Sequence, residues 1–250
     1  MTADVPATPH GASKPRPRRP NRRGWWAAGL LVLLILLGGL DEYGQYLAAP
    51  HPERFAPGVV TQGPALDALL SMPLAAAYRR DFRPQTNATS CGPASLRNVL
   101  ASLGHALPSE RALFQGETGR WWRLRLMGMT LDELAALAEA NGIGTVRVWR
   151  DLSAPAWRAL LQSLDTPGRR LIVNLDRASL HGVSVGHFSP LGGYDRASDR
   201  VLLLDVTPGF GAQLIPSAQL LAAMNTLDPV SGRRRGLLQI DAEDAGAERR

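Results

Sequence analysis

Apolar residues along this chain recur at helical spacing in the first half and at strand spacing in the second half. From Cys91 to Leu103 they recur every three or four residues, and Pro93 suits the first turn of a helix. Gly104 stands where such a helix would end. The pattern therefore predicts a helix that begins at Cys91.

Other segments of the chain carry helix signals of the same kind. Thr130 and Glu133 form a capping-box sequence ahead of an apolar face, and Gly142 marks the end of that helix. Further helices are predicted over residues 65–78 with a break at Pro73, over 153–164 with Ser153 as the cap, and over 217–225. Trp121 and Trp122 are assigned to an Arg-rich loop.

Short runs of β-branched and apolar residues predict the strands of the second half. They cover residues 145–149, 171–175, 186–194, 201–205 and 236–240, and a polar turn over 195–200 joins the third to the fourth. Because helices come first and strands crowd the second half, the pattern predicts an α+β fold.

The net charge of +6 comes mostly from the first 24 residues, which contain six bases and one acid. This Pro- and Arg-rich segment has no apolar period, so residues 1–24 are predicted to be a disordered tail. The rest of the chain is close to neutral. Its charge therefore gives no reason to expect a nucleic acid partner.

Residues 25–40 carry no charge, in the order W-W-A-A-G-L-L-V-L-L-I-L-L-G-G-L. They are shorter than the roughly 20 residues of an average membrane span, but Trp25, Trp26 and Tyr43 can extend their reach into the interface. No small-x-small cleavage site follows directly, so we predict a single-pass signal anchor in the lipid bilayer, with a cleaved signal peptide as the alternative. Basic residues before the span place the tail in the cytoplasm and the rest outside it, in the periplasm of a Gram-negative bacterium.

The remaining segments follow from this anchor. Residues 41–62 are rich in proline and are predicted to be a linker, residues 63–241 a single catalytic domain, and residues 242–250 a charged tail. A single cysteine in the chain excludes an internal disulfide bond, and an exported unpaired thiol suggests a role in chemistry.

Cys91 is that single cysteine, and it follows the polar residues of a loop. At the start of a helix its sulfur would face unpaired backbone N–H groups and the positive end of the helix dipole, which favour the thiolate. The alternative is a small buried residue of the core, as most free cysteines are.

A thiol nucleophile needs a base, and the base needs a group that orients it. His187 opens one predicted strand, and Asp205 ends the next. In an antiparallel pair with a short turn these two positions are neighbours, so they complete a set with Cys91. Gln85 precedes Cys91 by six residues, and its amide is placed to donate to an oxyanion. From the residues alone, plain solvation is the preferred interpretation of Gln85.

Several segments resemble the phytochelatin synthases, papain-like cysteine enzymes that act on glutathione. The resemblance spans roughly residues 82–240 and rests on Q-T-N-A-T-S-C-G-P-A-S-L, G-M-T-L-D-E-L-A-A-L, G-H-F-S-P-L-G-G-Y-D, V-L-L-L-D-V and A-M-N-T-L-D-P-V-S-G-R-R-R-G. It implies a papain-like fold, with the nucleophile at a helix N-terminus packed against an antiparallel sheet that carries the histidine and the aspartate.

By this resemblance Cys91 is the nucleophile, His187 the base and Asp205 the orienting group, while Gln85 donates to the oxyanion. Asp228 and Arg235 fall where the family binds the α-amino and α-carboxylate groups of the γ-glutamyl moiety. A carboxylate and an Arg fork suit those two charges.

The resemblance also implies the reaction and its partners. Cys91 would attack the Cys–Gly carbonyl of glutathione, and the thioester would pass to water or to a second glutathione. The chain lacks the Cys-rich C-terminal region of plant members, so it is similar to the shorter bacterial enzymes, which mainly cleave glutathione. No cofactor and no structural metal site is expected, with Cd²⁺ or Zn²⁺ acting as activators bound to the thiolate substrates. A homodimer is left open. A papain-like peptidase of the double-glycine leader type and a non-catalytic binding module remain as alternatives.

Overall fold

The computed structural model describes residues 26–36, 38–39 and 49–242. The chain divides after Leu40 into two units, and the described residues of the first unit are helical. No helix within the described ranges is long and apolar enough to cross a membrane. The predicted tails, apart from Ala242, lie outside the described residues, as do three positions of the predicted anchor and residues 41–48 of the predicted linker.

The second unit combines helices with one sheet. Its α-helices are α1 (Pro64–Leu70), α2 (Pro73–Arg79), α3 (Cys91–Ser102), α4 (Thr118–Met127), α5 (Leu131–Ala140), α6 (Ala154–Gln162), α7 (Ala178–His181) and α8 (Ser217–Met224). Its strands are β1 (Thr145–Trp149), β2 (Arg169–Asp176), β3 (Gly186–Asp195), β4 (Arg200–Leu204), β5 (Ala212–Pro216) and β6 (Gly236–Asp241). Short 3₁₀ turns lie at Pro52–Arg54, Glu110–Phe114 and Ser163–Asp165.

The six strands form one sheet in the order β1-β6-β2-β3-β4-β5, and every neighbouring pair is antiparallel. Both faces of the sheet are covered. Ile172 and Leu202 belong to the core that contains α3, whereas Leu171 and Leu203 belong to the core that contains α6 and α8. Burial on both faces explains why β2 is almost continuously buried and why Leu171, Ile172 and Val173 form an apolar run instead of alternating with polar residues. The predicted α+β fold is confirmed.

The helix that begins at Cys91 is confirmed, and almost every residue along it is buried. The capping box of Thr130 and Glu133 is also present, since the Thr130 side chain accepts from the Glu133 N–H and the Glu133 carboxylate accepts from the Thr130 N–H. Pro73 divides the first predicted helix into α1 and α2. These segments formed as expected because their signals are local.

The prediction of a loop around Trp121 and Trp122 was wrong, because both lie in α4. Trp121 and Leu124 are the two buried residues of this helix, and three arginines surround them. A helix that buries so narrow a face gives only a weak apolar period. The edge strand β5 and the four-residue helix α7 were also missed, since each is too short to show a clear pattern.

The described part of the predicted linker, residues 49–62, packs on the second unit, and we call it the N-terminal strap. The Ala56 N–H donates to the Leu180 carbonyl at 2.9 Å, and Val60 forms an antiparallel bridge with Leu214. The Phe55 ring lies 4.9 Å from the His181 ring. The folded body therefore begins before residue 63, where the sequence analysis started the catalytic domain.

Candidate active site

The structure brings Cys91, His187 and Asp205 together at one end of the sheet. Cys91 is the first residue of α3, which packs on β3, and His187 is the second residue of β3. Asp205 follows the last residue of β4, the antiparallel neighbour of β3. The Nε2 atom of His187 lies 3.1 Å from Oδ1 of Asp205, and Oγ of Ser189 lies 2.9 Å from the same nitrogen. A nucleophile beside a base, with the base held by an orienting group, is the arrangement of a cysteine acyl-transfer site.

The His187 ring uses its two nitrogen atoms for different partners. Because Nε2 faces Asp205, Nδ1 is the nitrogen left for the Cys91 thiol, which hydrogen-bonds with this ring. Burial opposes ionisation of Cys91, but the His187 hydrogen bond and charge, the Phe188 N–H and the Arg177 charge outweigh it. The pKa of Cys91 therefore lies below its ordinary value, which favours a thiolate.

The pKa of His187 is raised and the pKa of Asp205 is lowered. Burial and the Arg177 charge oppose protonation of His187, but the charge and hydrogen bond of Asp205 and the contact with Cys91 raise its pKa. Burial opposes ionisation of Asp205, yet the positive charges of His187 and Arg177 hold its pKa well below the usual range. The site is therefore poised as a thiolate and an imidazolium over an ionised carboxylate.

Arg177 is a part of this site that the sequence analysis missed. Its Nη2 atom donates to both oxygens of Asp205, at 2.7 and 2.6 Å, and to Oγ1 of Thr207 at 2.7 Å. The guanidinium lies 4.1 Å from the centroid of the Phe210 ring. Arg177 thus fixes the carboxylate that orients His187, and it is fully buried with it.

A layer of rings lies behind Arg177. The His181 ring makes edge contacts with Phe55 of the N-terminal strap and with Phe210, and its Nε2 atom lies 2.8 Å from Oε1 of Gln213. Burial lowers the pKa of His181 to about 4. His181 is therefore neutral near pH 7, and it packs on Phe210, the ring that lies against Arg177.

Gln85 is held beside Asp205 by its backbone, since its N–H donates to the Val206 carbonyl at 2.7 Å. Its side chain is buried, and its Nε2 atom donates to the Asn87 carbonyl at 2.9 Å. One N–H of that amide remains for another acceptor, while Oε1 has no partner. This buried amide has one bonded and one free N–H, which differs from the solvated glutamine expected from the residues alone.

Asp228 and Arg235 meet at the two ends of a narrow hairpin. Leu227 bridges Arg234, and the Asp228 N–H donates to the Arg233 carbonyl at 2.8 Å. Nη1 of Arg235 lies 3.4 Å from Oδ1 of Asp228, and Nη2 lies 3.9 Å from Oδ2 of Asp176. Nε of Arg235 is buried without a partner. This guanidinium is 6% exposed and makes only loose ion pairs, so its donors are available to a ligand.

These groups share one cavity of about 240 Å³ with the thiol. Its wall includes Cys91, Asp228, Arg235 and Asn174, a residue of β2 that the sequence analysis also missed. Oδ1 of Asn174 is buried without a hydrogen-bond partner. A Cβ at Gly186 would meet Nη1 of Arg235 at 2.9 Å, so a side chain there would displace the guanidinium. The cavity therefore offers one cation and two acceptors beside a nucleophile.

A second cavity, of about 150 Å³, lies on the other side of Ala88. Ala88 lines both cavities, and Gln85, Thr207 and Pro208 line only the second. The two cavities adjoin at Ala88, and we call them together the cleft; Cys91, Asp228 and Arg235 line the first cavity, and Gln85 lines the second. In the described part of the chain, no three His, Cys, Asp or Glu side chains converge in a way that could hold a metal ion.

Alkylation of Cys91 tests the state of the thiol. We expect iodoacetamide to react with Cys91 faster than with free glutathione at about pH 6, because the lowered pKa leaves more thiolate. The measurement is the rate of modification by mass spectrometry over a series of pH values. Reaction that began only near the ordinary thiol pKa of about 8.5 would show that the thiol is not activated.

Comparisons with known proteins identify a family and several relatives of this chain. The family model described as phytochelatin synthase matches residues 70–237. Glutathione gamma-glutamylcysteinyltransferase 3 of Lotus japonicus is 30% identical over 181 residues, which cover 64% of this chain and 36% of that protein. Glutathione gamma-glutamylcysteinyltransferase of Schizosaccharomyces pombe is 28% identical over 117 residues, or 46% of this chain and 28% of that protein. The chain thus spans about a third of the length of these relatives.

Two solved structures are also similar to this chain. One is the peptidase domain of Streptococcus ComA, a bifunctional ABC transporter, with 17% identity and a TM-score of 0.45 over 64% of this chain and 96% of that one. The other is a double-glycine motif protease from an AMS/PCAT transporter, with 18% identity and a TM-score of 0.42 over 64% and 89%.

The family assignment rests on the sequence match and not on these structural neighbours. The matched range of 70–237 is more than half of the chain and contains the cysteine, histidine, aspartate and arginine of the cleft. The chain belongs to the phytochelatin synthase family.

Proposed function

We propose that this protein cleaves the Cys–Gly bond of glutathione through a thioester on Cys91. The buried Arg235 guanidinium in the same cavity as the thiol carries this proposal, because a buried cation with loose partners suits an anionic ligand. Arg233 and Arg234 differ from it, since their side chains are 59% and 53% exposed and pair with surface carboxylates. Arg235 is therefore not part of a solvated basic cluster.

The charges of the cavity match the head group of glutathione. Its γ-glutamyl moiety carries an α-carboxylate, which the Arg235 fork would take, and an α-ammonium, which Asp228 would take. Oδ1 of Asn174 provides a further acceptor for the ammonium or an amide N–H. With the head group held there, the chain of the substrate leads towards Cys91 and its Cys–Gly bond towards Gln85.

The residues of the cleft then supply each step of acyl transfer. The Cys91 thiolate attacks the carbonyl carbon, and the backbone N–H of Cys91 and the free N–H of the Gln85 amide donate to the oxyanion. The His187 imidazolium gives its proton to the glycine nitrogen, the C–N bond breaks, and glycine leaves. A γ-glutamylcysteinyl thioester remains on Cys91.

Neutral His187 next acts as the base for the second nucleophile. It takes a proton from water, which gives γ-glutamylcysteine, or from the amine of a second glutathione, which gives a phytochelatin. The cavity lined by Gln85, Thr207 and Pro208 is the side from which glycine leaves and the second nucleophile enters. Metal ions take part in the reaction bound to the thiolate groups of the substrate.

Loss of Arg235 tests the head-group assignment. We expect Arg235→Ala to lower kcat/KM for glutathione by about ten- to a hundredfold, because a hydrogen bond to a charged group contributes about 1.5–3 kcal/mol. Arg235→Lys should recover only part of the rate, since an ammonium cannot form the fork. The measurement is the release of γ-glutamylcysteine and glycine by mass spectrometry, with and without cadmium.

Arg234→Ala is the matched control, because that neighbouring side chain pairs with exposed Asp151 and does not line the thiol cavity. It should keep the wild-type rate, and alkylation of Cys91 should be unchanged in both variants. Wild-type cleavage of glutathione by Arg235→Ala would contradict the proposal. It would favour a peptidase for leader peptides, which uses the same three catalytic groups without a γ-glutamyl site.

We also propose that residues 25–40 anchor the protein in a membrane with the catalytic unit outside the cytoplasm. The uncharged sequence of this segment and the basic residues before it support the proposal. A periplasmic reporter enzyme fused after Arg250 of the full chain should be active. Activity of a reporter that works only in the cytoplasm would contradict this orientation.

A further inference from the structure

Arg170 differs from the other buried arginines among the described residues. Arg97, Arg177 and Arg235 each lie within 4 Å of a carboxylate, whereas Arg170 forms no ion pair within the described part of the chain. Arg170 is only 8% exposed, and burial lowers its pKa. Burial of a cation without an anion costs free energy, so a bound anion beside Arg170 would be stabilising.

The hydrogen bonds of Arg170 all go to neutral oxygens. Nε donates to Oγ of Ser102 at 2.8 Å, Nη2 donates to the Ser102 carbonyl at 3.2 Å, and Nη1 donates to the Arg169 carbonyl at 2.7 Å. These contacts hold the last residue of α3. A guanidinium has five N–H donors, so one remains on each of the two terminal nitrogens. Two such donors are what a bidentate carboxylate requires.

Arg170 also lines a cavity of about 350 Å³, which is within the range of small-molecule sites. The wall is mainly apolar, with Met72, Leu74 and Leu164 among its side chains. The one acid in this wall, Asp165, is exposed and pairs with Arg196 at 3.0 Å. The cavity therefore presents one cation without a carboxylate partner, whose guanidinium lies 5.8 Å from the centroid of the Tyr78 ring, on an apolar background.

This cavity is separate from the cavity that contains Cys91. Arg170 is near the start of β2, while Asn174 of the thiol cavity and Arg177 lie towards and beyond its other end. At about 3.3 Å per residue, Arg170 and Asn174 are about 13 Å apart along the strand. The two cavities have no lining residue in common.

We propose that Arg170 and this cavity form a second binding site, for a small organic molecule with one carboxylate and an apolar body. The carboxylate accepts the two free N–H groups of Arg170, and the apolar body lies against Leu74 and Leu164. The site is separate from the glutathione cleft, and it lies at the C-terminal end of the helix that begins at Cys91.

Hexanoate is a suitable probe, with hexanol as the matched neutral compound. We expect saturable binding of hexanoate to the purified protein by calorimetry and at least about tenfold weaker binding of hexanol, since a charge-assisted contact is lost. Arg170→Gln should weaken hexanoate binding by a similar factor. Arg235→Gln should leave it unchanged, which separates this site from the γ-glutamyl pair.

A second variant keeps Arg170 and its contacts with Ser102 intact. A Cβ at Gly193, in the cavity wall, would meet nothing closer than 3.9 Å, so Gly193→Leu has room to extend into the cavity. It should abolish hexanoate binding while Cys91 is alkylated at the wild-type rate. Absence of saturable hexanoate binding to the wild type, or binding that Arg235→Gln removes and Gly193→Leu retains, would overturn the proposal.

Discussion

Cys91→Ser should lower the rate of glutathione cleavage by at least about a thousandfold, the largest effect expected of any substitution. The serine hydroxyl cannot be ionised by the His187 contact that lowers the pKa of the thiol, so no thioester and no equivalent ester forms at a useful rate. Nucleophile losses in comparable catalytic sets reduce kcat by factors of this size or more. The measurement is glycine release under single-turnover conditions.

Binding and non-additivity provide the controls for this result. Asp228 and Arg235 are unchanged in Cys91→Ser, so the variant should still bind glutathione by calorimetry. Because Cys91 and His187 act as one unit, Cys91→Ala combined with His187→Ala should be no slower than either variant alone. A residual rate within tenfold of the wild type would mean that Cys91 is not the nucleophile.

Arg177→Met should have the largest effect on stability. It leaves Asp205 buried and negatively charged without the donor that binds both of its oxygens. Removal of one member of a buried ion pair costs about 3–5 kcal/mol, so the free energy of unfolding should fall by about that amount. Denaturant unfolding at neutral pH measures it. Arg196→Met is the matched control, because its pair with Asp165 is exposed and contributes less than about 1 kcal/mol.

A readout of the thiol separates the positioning role of Arg177 from a purely structural one. The positive charge of Arg177 lowers the pKa of both Cys91 and His187, so its loss raises both. The alkylation profile of Cys91 should therefore begin at higher pH in Arg177→Met than in the wild type. An unchanged profile in a destabilised variant would show that Arg177 supports the fold and does not tune the thiol.

The sequence predicted the parts of the site whose placement is local. Cys91 opens a helix because Pro93 suits the first turn and apolar residues recur at helical spacing after it. His187 meets Asp205 because a short turn pairs the start of β3 with the end of β4. Asp228 and Arg235 were assigned only through the family resemblance, and one narrow hairpin brings them together. None of these pairings depends on how distant segments fold.

Arg177 and Asn174 were missed because their positions depend on the order of strands in the sheet. β2 lies beside β3 and β6, which places Asn174 opposite Phe188 and Gly236. Nothing in the residues around Asn174 indicates which strands will flank it. Arg177 similarly follows an ordinary strand, and its buried partner lies 28 residues along the chain. A lone polar residue in or after a strand gives no local signal of such contacts.

The contacts of the N-terminal strap determine at which positions cleavage of the chain would disturb the active site. Proteolysis before residue 49 would leave the strap in place, whereas proteolysis after residue 62 would remove Phe55 from the ring layer behind Arg177 and the bridge between Val60 and Leu214. The lost aromatic surface would open a gap next to the Arg177–Asp205 pair. Cleavage on the N-terminal side of this segment therefore keeps the contacts that support Arg177 and Asp205, whereas cleavage on its C-terminal side removes them.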